Sequence, residues 1–474
     1  MLVSNFCGII ISMNPRKIVK TLVPVSLFKK IEPYGHWLEA VLVQTKAGFP
    51  ARGLKIIGVT GTDGKTSTCT IITQMLRENG YKVAMMTTIS VDYGDGKGEQ
   101  PNPSRMTTLG AASLASKLKK IKANQVDYLV LEVTSQALAQ YRVWSVPFTV
   151  AVMTNVNHEH LDYHGTFENY RDAKKKLFTL TGKNKKGLRV GIANADDPSG
   201  ELFAKEVANP VLYGIKNGNL RASKVDLTPA GSNFTAKIDG DTYQIECHLP
   251  GSFNVYNSLA AVGVGRAIGL DKAQIENGIA SLKAVEGRMT RVDEGQNFTV
   301  IVDYAHTPES FEKIFQEVKP LVDRKLWVVF GSAGRRDEAK RKTQGEMAGK
   351  YCDMVVVTEE DDRDMDGEAI LEQIASGAQA QGKTKKKNLF LVHDRDQAVQ
   401  FAISEAQKGD VVLLLGKGHE KSILGNGPEA EKLRHLQQND DDPRRVVKRP
   451  YDEVQVARTA LRLLKPTSRR APSN

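Results

Sequence analysis

Cysteine is scarce in this chain of 474 residues: Cys7, Cys69, Cys247 and Cys352 stand far apart, and no two form a Cys-x-x-Cys pair. That spacing argues against a disulfide scaffold or a cysteine zinc site and suits a reducing compartment. Long apolar runs are missing too. Phe6–Met13 falls far short of the roughly 20 residues that a membrane span needs. It has no basic region before it and no small-residue cleavage site after it, as a signal peptide requires. The expected location is the cytoplasm, with Met1 or Met13 as the start and no membrane span. Aromatic residues make up only 7%, and no RNP-like mixture of aromatic and basic residues occurs, so nucleic acid is not an expected partner. No internal repeat or long low-complexity stretch is present.

What is there fits a soluble globular protein of several domains. Hydrophobic residues are 41% and charged residues 26%, ordinary values for a globular protein. At roughly 100–200 residues per domain the chain holds two to four domains. The formal net charge is +11, from 66 Lys+Arg against 55 Asp+Glu. A basic balance suits an anionic substrate such as ATP or a nucleotide sugar. It equally suits a solubilising surface, and charge alone does not separate the two. Several basic runs, Lys117–Lys122, Lys183–Lys186 and Lys383–Lys387, have a solvent-facing composition.

From Leu54 onward, apolar runs alternate with glycine-rich turns and helical periods. The spacing predicts strands at Lys55–Thr60, Tyr81–Thr87, Tyr128–Val133, Thr149–Asn155 and Leu188–Asn194. It predicts helices at Ser67–Asn79, Asn257–Ile268 and Lys272–Leu282. Strands alternating with helices imply a doubly wound α/β sheet. Lys205–Glu246 alternates polar and apolar residues between Gly/Asp turns and reads as a small antiparallel insertion. A second α/β unit begins near Val292, with strands at Phe298–Val302, Lys325–Phe330, Met354–Thr358, Leu389–Val392 and Val411–Leu415. Gly and Asp punctuate the strand ends, where open α/β sheets bind ligands.

The stretch Gly58-Val-Thr-Gly-Thr-Asp-Gly-Lys-Thr-Ser67 joins a strand to a helix. Gly61 and Gly64 let backbone N–H groups approach phosphates, and the helix N-terminus adds a positive dipole end. Lys65 is placed to neutralise β/γ-phosphates and the Thr66 hydroxyl to bind Mg²⁺. Val59 replaces the first glycine of GxxxxGK[ST], leaving the shorter GTxGKT. A chance Gly-Lys turn is the bland alternative; the strand before and helix after favour nucleotide binding.

GTDGKTS resembles the GT(N/D)GKT loop of the Mur ligase family, which also includes folylpolyglutamate and cyanophycin synthetases. The resemblance runs in family order from Leu54 to about Leu461. It implies an α/β fold: a P-loop-type central domain with a parallel sheet, plus a Rossmann-like C-terminal α/β domain. The expected boundaries are a shortened N-terminal segment at 1–50, a central ATP-binding domain at 51–290, a C-terminal domain at 291–465 and a tail at 466–474. Family members usually carry a whole UDP-holding domain ahead of the phosphate loop.

The resemblance also implies roles, residue by residue. Gly61, Thr62, Asp63, Gly64, Lys65, Thr66 and Ser67 form the ATP loop. Glu132, ending a buried strand, is a Mg²⁺ carboxylate, for which a capping role is the weaker alternative. Thr154–Gly165 looks like TNxxxDHLDYHG and makes His160 a second-Mg²⁺ ligand, while His158 and His164 are structural or surface residues. Tyr170-Arg-Asp-Ala-Lys174 resembles Y(R/E)xAK, and Lys174 takes the place of a carbamylated lysine whose anionic oxygens suit Mg²⁺. Without that match, Lys174–Lys176 reads as an exposed helical charge run.

Gly251–Ala261 resembles GxFNxxNxLAA, which sends Asn257 to the adenine; capping its helix is a compatible role. Gly287-Arg288-Met289 resembles GR(M/F), whose arginine meets the γ-phosphate. Val302–Pro308 looks like (V/I)DYAHxP and has Asp303 accept a ribose hydroxyl. Gly331–Asp337 resembles GxxGxRD.

Three places point to the family's diamino-acid-adding branch. Met106-Thr107-Thr108 looks like the TTP segment that holds the UDP-muramoyl-dipeptide, with Leu109 for proline. Ser135 and Arg142 match the second serine and downstream arginine of EVSSH, with Gln136 for histidine. Gly416-Lys-Gly-His-Glu420 matches GKGHE, in which Gly416 and Glu420 contact the incoming amino group. Thr358–Arg363 aligns with TSDNPR: Arg363 keeps a planar fork suited to a carboxylate, and Glu360, Asp361 and Asp362 replace Asp-Asn-Pro.

The expected activity is ATP- and Mg²⁺-dependent addition of a diamino acid to UDP-N-acetylmuramoyl-L-Ala-D-Glu through an acyl phosphate, in peptidoglycan synthesis. Arg363 tilts the choice toward meso-diaminopimelate over L-lysine. Expected catalytic residues are Lys65, Glu132, His160, Lys174 and Arg288; the partners are these substrates, and the chain is expected to be a monomer. The alternatives are a folylpolyglutamate- or cyanophycin-type ligase, or a non-catalytic Mur-like binding protein.

Overall fold

The structure, a computed structural model, describes residues 25–102, 106–157, 159–425 and 446–464. Phe6–Met13, His158 and the expected tail at 466–474 lie outside the described residues. The chain divides into two compact units. One comprises 1–222, 237–242 and 256–278; the other comprises 223–236, 243–255 and 279–474.

After helix α1 (Val25–Ala47), the first unit runs β1 (Lys55–Thr60), α2 (Lys65–Glu78), β2 (Val83–Met86), β3 (Ser90–Asp92), β4 (Gln100–Pro101) and α3 (Ala111–Ala123). It continues with β5 (Tyr128–Glu132), α4 (Ser135–Ala139), β6 (Phe148–Met153), α5 (Leu161–His164), α6 (Phe167–Lys183), β7 (Val190–Asn194), α7 (Gly200–Ala204) and β8 (Asn209–Gly214). Strands β9 (Leu220–Thr228), β10 (Gly231–Ile238) and β11 (Asp241–Cys247) follow in the same sheet, with residues divided between the two units, then α8 (Ser252–Ala267) and α9 (Lys272–Ala280), mostly in the first unit. The sheet order is β11-β10-β9-β8-β7-β6-β1-β5-β2-β3-β4. Strands β8, β7, β6, β1, β5 and β2 are parallel. They read as unbroken apolar runs because helices cover both faces; in β1 only Lys55 is exposed.

The antiparallel expectation for Lys205–Glu246 is corrected in part. Asn209–Gly214 pairs parallel with β7, and only β9–β11, joined by two-residue links, form the meander. It extends the main sheet instead of standing apart.

The second unit contains β12 (Thr290–Val292), β13 (Thr299–Asp303), α10 (Pro308–Val318), β14 (Leu326–Phe330), α11 (Ala339–Tyr351), β15 (Met354–Val357) and α12 (Gly367–Ala380). It closes with β16 (Leu389–Leu391), α13 (Arg395–Glu405), β17 (Val411–Leu415), β18 (Ser422–Gly425), β19 (Val447–Pro450) and α14 (Glu453–Leu464). The order β12-β13-β17-β14-β15-β16 is parallel apart from β12. Strand residues alternate between two cores with period two. Ile301, Val328, Phe330 and Leu413 pack with α10 and α12, while Val302, Val329, Val412 and Leu414 pack with α13 and α14. Each such buried aliphatic side chain contributes about 1.5–3 kcal/mol. In both units the carboxyl ends of the strands carry the polar residues that follow.

Candidate active site

In the first unit the chain leaves β1 through Gly61 and enters α2 through Gly64, whose φ of 79° places it in the left-handed region. A Cβ on Gly64 would lie 2.5 Å from Asn257 Oδ1, which itself accepts Thr68 Oγ1 at 3.1 Å. Asn257 therefore braces the turn. The loop is tied from the other side as well. Thr62 N–H donates to the Asn155 carbonyl at 2.8 Å, Asp63 N–H to Asn155 Oδ1 at 2.9 Å, and Thr154 Oγ1 to the Asp63 carbonyl at 2.6 Å. Lys65 Nζ reaches back to the Thr62 carbonyl at 2.8 Å, so the cation lies over its own loop. Ser67 is buried in the first turn of α2.

Glu132, 1% exposed, collects donors from three directions. Thr66 Oγ1 and Thr88 N–H each donate to Oε2 at 2.9 Å, and Thr88 Oγ1 donates to Oε1 at 3.0 Å. Thr88 Oγ1 also meets Thr107 Oγ1 at 2.9 Å, while Thr108 Oγ1 donates to the Glu132 carbonyl at 3.0 Å. Arg142 Nη1 donates to the Thr108 carbonyl at 2.8 Å, and its other nitrogens bind Gln140 Oε1. Thr107, Thr108 and Arg142 thus form one hydrogen-bonded sequence leading to Glu132. Thr88 is a residue that sequence reasoning missed; its place just after β2 was the available signal.

Lys174 is 2% exposed, which corrects the surface-charge-run alternative. Its Nζ donates to the Gly61 carbonyl at 2.6 Å and lies 4.4 Å from the centre of the Tyr170 ring. Burial, then the nearby Lys65 cation, pushes its pKa well below the ordinary lysine value, so the amine has an accessible neutral form. Tyr170 OH meets Thr62 Oγ1 at 3.0 Å. His160 has a left-handed φ of 54° and a half-exposed ring 3.8 Å from Glu159; the structure gives it no hydrogen bond to Glu132 or Lys174. His164 Nε2 pairs with buried Ser135 Oγ at 3.0 Å, consistent with a structural role.

The second unit gathers its polar groups where β13 and β17 end side by side. Asp303, 6% exposed, takes Met289 N–H on Oδ2 and Ala305 N–H on Oδ1, both at 2.7 Å. One lone pair per oxygen remains. Burial raises its pKa, against the lowering influence of Arg288. Arg288 sits 5.3 Å from the Tyr304 ring centre, and its Nε is buried without a hydrogen-bond partner among the described residues. His419 lies on the same ring; burial and then Arg288 bring its pKa down to about 4, so it is neutral at pH 7. Lys417, fully buried, bridges Asp361 at 3.0 Å and Glu420 at 2.6 Å. Gly416 faces Glu360, whose Oε2 has no partner among the described residues and would lie 3.2 Å from a Cβ on Gly416. Arg363 is half-buried, with a φ of 57°.

A phosphate-type loop coupled to a buried carboxylate and a buried lysine, together with a separate α/β unit, can be compared with known proteins. Residues 59–265 match the Mur ligase middle domain, and residues 287–418 match the Mur ligase glutamate ligase domain. The chain belongs to the Mur ligase family. A UDP-N-acetylmuramyl-tripeptide synthetase of Roseiflexus sp. (strain RS-1) is 41% identical over 389 residues, 80% of this chain and 76% of the relative. A UDP-N-acetylmuramoyl-L-alanyl-D-glutamate–2,6-diaminopimelate ligase of Geobacillus thermodenitrificans is 40% identical, covering 82% and 78%. A solved 2,6-diaminopimelate ligase of the same designation superposes with a TM-score of 0.65 at 28% identity, covering 91% of this chain and 83% of that one. The folylpolyglutamate synthase of Mycobacterium tuberculosis shares the fold, with a TM-score of 0.62 at 17% identity. Like other Mur ligases, this chain is an ATP-dependent ligase that forms amide bonds between an acid and an amino acid. Among the described residues, no helix is long and apolar enough to cross a membrane.

Proposed function

We propose that the chain adds a diamino acid to UDP-N-acetylmuramoyl-L-Ala-D-Glu in the cytoplasm, as a step of peptidoglycan synthesis. The observation that carries this reading is Glu132 holding Thr66 of the phosphate loop while its backbone and Thr88 hold Thr107 and Thr108. One carboxylate thereby couples the loop for ATP to the segment assigned to the acceptor. A carboxylate oxygen of the acceptor attacks the γ-phosphorus and ADP leaves. The amino group then attacks the acyl phosphate, forming the amide and releasing phosphate. Lys65 and Arg288 supply fixed positive charge for the transferring phosphoryl group. Asn257 and Asp303 are assigned to the nucleoside, and Ser135 and Arg142 to the acceptor peptide. Mg²⁺ would neutralise phosphate oxygens, held by Thr66, Glu132, His160 and carbamylated Lys174; the buried oxygen donors and the depressed lysine pKa fit this group.

Gly416 and Glu420 are assigned to the incoming amino acid. Arg363 pairs with no acidic side chain among the described residues, which supports a distal carboxylate and hence meso-diaminopimelate. The unpartnered Glu360 Oε2 favours a distal ammonium and hence lysine. The deciding test incubates the protein with ATP, Mg²⁺ and UDP-N-acetylmuramoyl-Ala-Glu, with meso-diaminopimelate, lysine or neither, and reads product mass and phosphate together. A tripeptide product with one amino acid is expected. No product with either overturns the reading, and full phosphate release without an amino acid overturns the acyl-phosphate order.

A further inference from the structure

The segment Thr358–Arg363 follows the carboxyl end of β15 and ends in a residue held in a costly conformation. A non-glycine residue at positive φ, as in Arg363, persists only where its surroundings over-determine it. Here they do. Arg363 N–H donates to the Leu424 carbonyl at 2.9 Å, and the Asp361 carbonyl accepts Gly334 N–H at 2.8 Å. Asp361 Oδ1 takes Leu424 N–H at 2.8 Å and Lys417 Nζ at 3.0 Å.

His393, two residues beyond β16, touches the segment at three points. Its carbonyl accepts Thr358 Oγ1 at 3.0 Å and Glu359 N–H at 3.1 Å. Its ring Nε2 lies 2.7 Å from Asp362 Oδ2, and Asp362 is only 4% exposed. The approach is made possible by Gly367, where a Cβ would lie 2.1 Å from His393 Nε2 and 2.4 Å from Asp362 Oδ2. Asp362 stands where the TSDNPR segment has proline. A proline stiffens a loop by its ring; an aspartate needs an outside partner to do so.

Glu359, Asp362 and His393 also have spacing suited to a metal ion. Their inward atoms are already engaged: Arg449 Nη2 donates to Glu359 Oε1 at 2.7 Å, and Nε2 of His393 is paired with Asp362 Oδ2. A guanidinium against one carboxylate disfavours a second cation at that place.

We propose that the Asp362–His393 pair is a clamp on the segment that receives the incoming amino acid, with His393 a positioning residue that fixes Arg363 through the backbone. The inference rests on the ligase reading above. The groups facing the His393 ring are Asp362 and Glu359 on the segment and Glu368 on α12, and all three favour the imidazolium. The Asp362 hydrogen bond raises the His393 pKa, burial opposes it, and the charges on Asp362, Glu359 and Glu368 add to the rise. The ion pair is complete at low pH and is lost as pH rises through that elevated value.

The test is steady-state kinetics on the full chain with whichever diamino acid it ligates, for wild type, His393→Ala, Gly367→Ala and Asp362→Asn. Gly367→Ala keeps both side chains but separates them. Both it and His393→Ala are expected to raise KM for the diamino acid about tenfold while leaving kcat and KM for ATP within about twofold. Asp362→Asn removes the charge and leaves only a hydrogen bond to neutral imidazole, so its KM is expected between those of wild type and His393→Ala. It is also expected to lose the rise of KM with pH predicted for wild type. An unchanged diamino-acid KM in His393→Ala and Gly367→Ala overturns the clamp. So does a stoichiometric divalent metal that wild type retains and His393→Ala loses. A wild-type chain that ligates no diamino acid overturns the ligase reading, and the clamp falls with it.

Discussion

Lys174 Nζ donates to the Gly61 carbonyl oxygen across 2.6 Å, although 113 residues separate the two in sequence. Helix α6 therefore places a buried amine against the first glycine of the phosphate loop. Burial, then the Lys65 cation, lowers the lysine pKa well below its ordinary value, which favours the neutral amine, and a neutral amine is the form that adds CO₂. Lys174→Arg keeps a cation but cannot form a carbamate. It is expected to lower kcat by on the order of 100-fold, roughly 2.7 kcal/mol of transition-state stabilisation. Wild type depleted of bicarbonate is expected to slow and recover when it is restored, and Lys174→Arg to show no such response. Wild-type rates in Lys174→Arg exclude the carbamate.

Glu132 serves two purposes that substitutions can separate. Glu132→Ala removes the acceptor for Thr66 and for both donors of Thr88. Leaving such donors unpaired costs about 1–3 kcal/mol of stability, and the ligase rate is expected to disappear as well. Glu132→Gln deletes the charge, keeps one acceptor oxygen for Thr66 and the Thr88 N–H, and offers an NH2 donor that the Thr88 hydroxyl can accept. It is expected to melt close to wild type in a urea titration yet remain at least about 100-fold slower. A Glu132→Gln protein that is both stable and fully active assigns Glu132 to structure alone.

The phosphate loop was legible in the sequence because strand, glycine turn, lysine and helix each leave a local mark. The structure moved the helix start only from Ser67 to Lys65. Lys174 needed more than local pattern: Lys174-Lys175-Lys176 reads as a solvated run, and only the fold shows that one of the three points inward while the next two turn away. The strands Ser90–Asp92 and Gln100–Pro101 are too short to carry a period of two. Neither could sequence show that Thr88 completes the Glu132 network, or that His393 meets Asp362 across 31 residues. Such partnerships depend on which strands lie adjacent, and strand order has no local signature.

Gly64 tests whether the turn itself binds nucleotide. An alanine there meets left-handed backbone strain of about 1–2 kcal/mol and the Asn257 side chain 2.5 Å from its Cβ. Gly80→Ala is the control, with a φ of 80° and nothing within 4 Å of its Cβ. Both variants are expected to lose similar backbone stability in thermal melts. Only Gly64→Ala is expected to raise KM for ATP, by more than about tenfold. Equal KM values in the two variants mean that Asn257 and the turn do not grip the nucleotide.

Glu360 yields a pH dependence of the opposite sign to an ordinary surface carboxylate. Its burial raises the pKa to about 7, against the lowering effects of Lys417, Lys340 and Arg395. The folded state therefore holds a proton there between the ordinary glutamate value and about 7, while the unfolded chain does not. Stability contributed by this group falls as pH rises through that window and is constant above it. Glu360→Gln removes the titration, so its melting temperature relative to wild type is expected to be higher at pH 8 than at pH 5. If the ammonium of a bound amino acid fills the unpartnered Oε2, adding that amino acid flattens the wild-type pH dependence and leaves Glu360→Gln unchanged. The same pH slope in wild type and Glu360→Gln places the proton on another group and removes Glu360 from the argument for a distal ammonium.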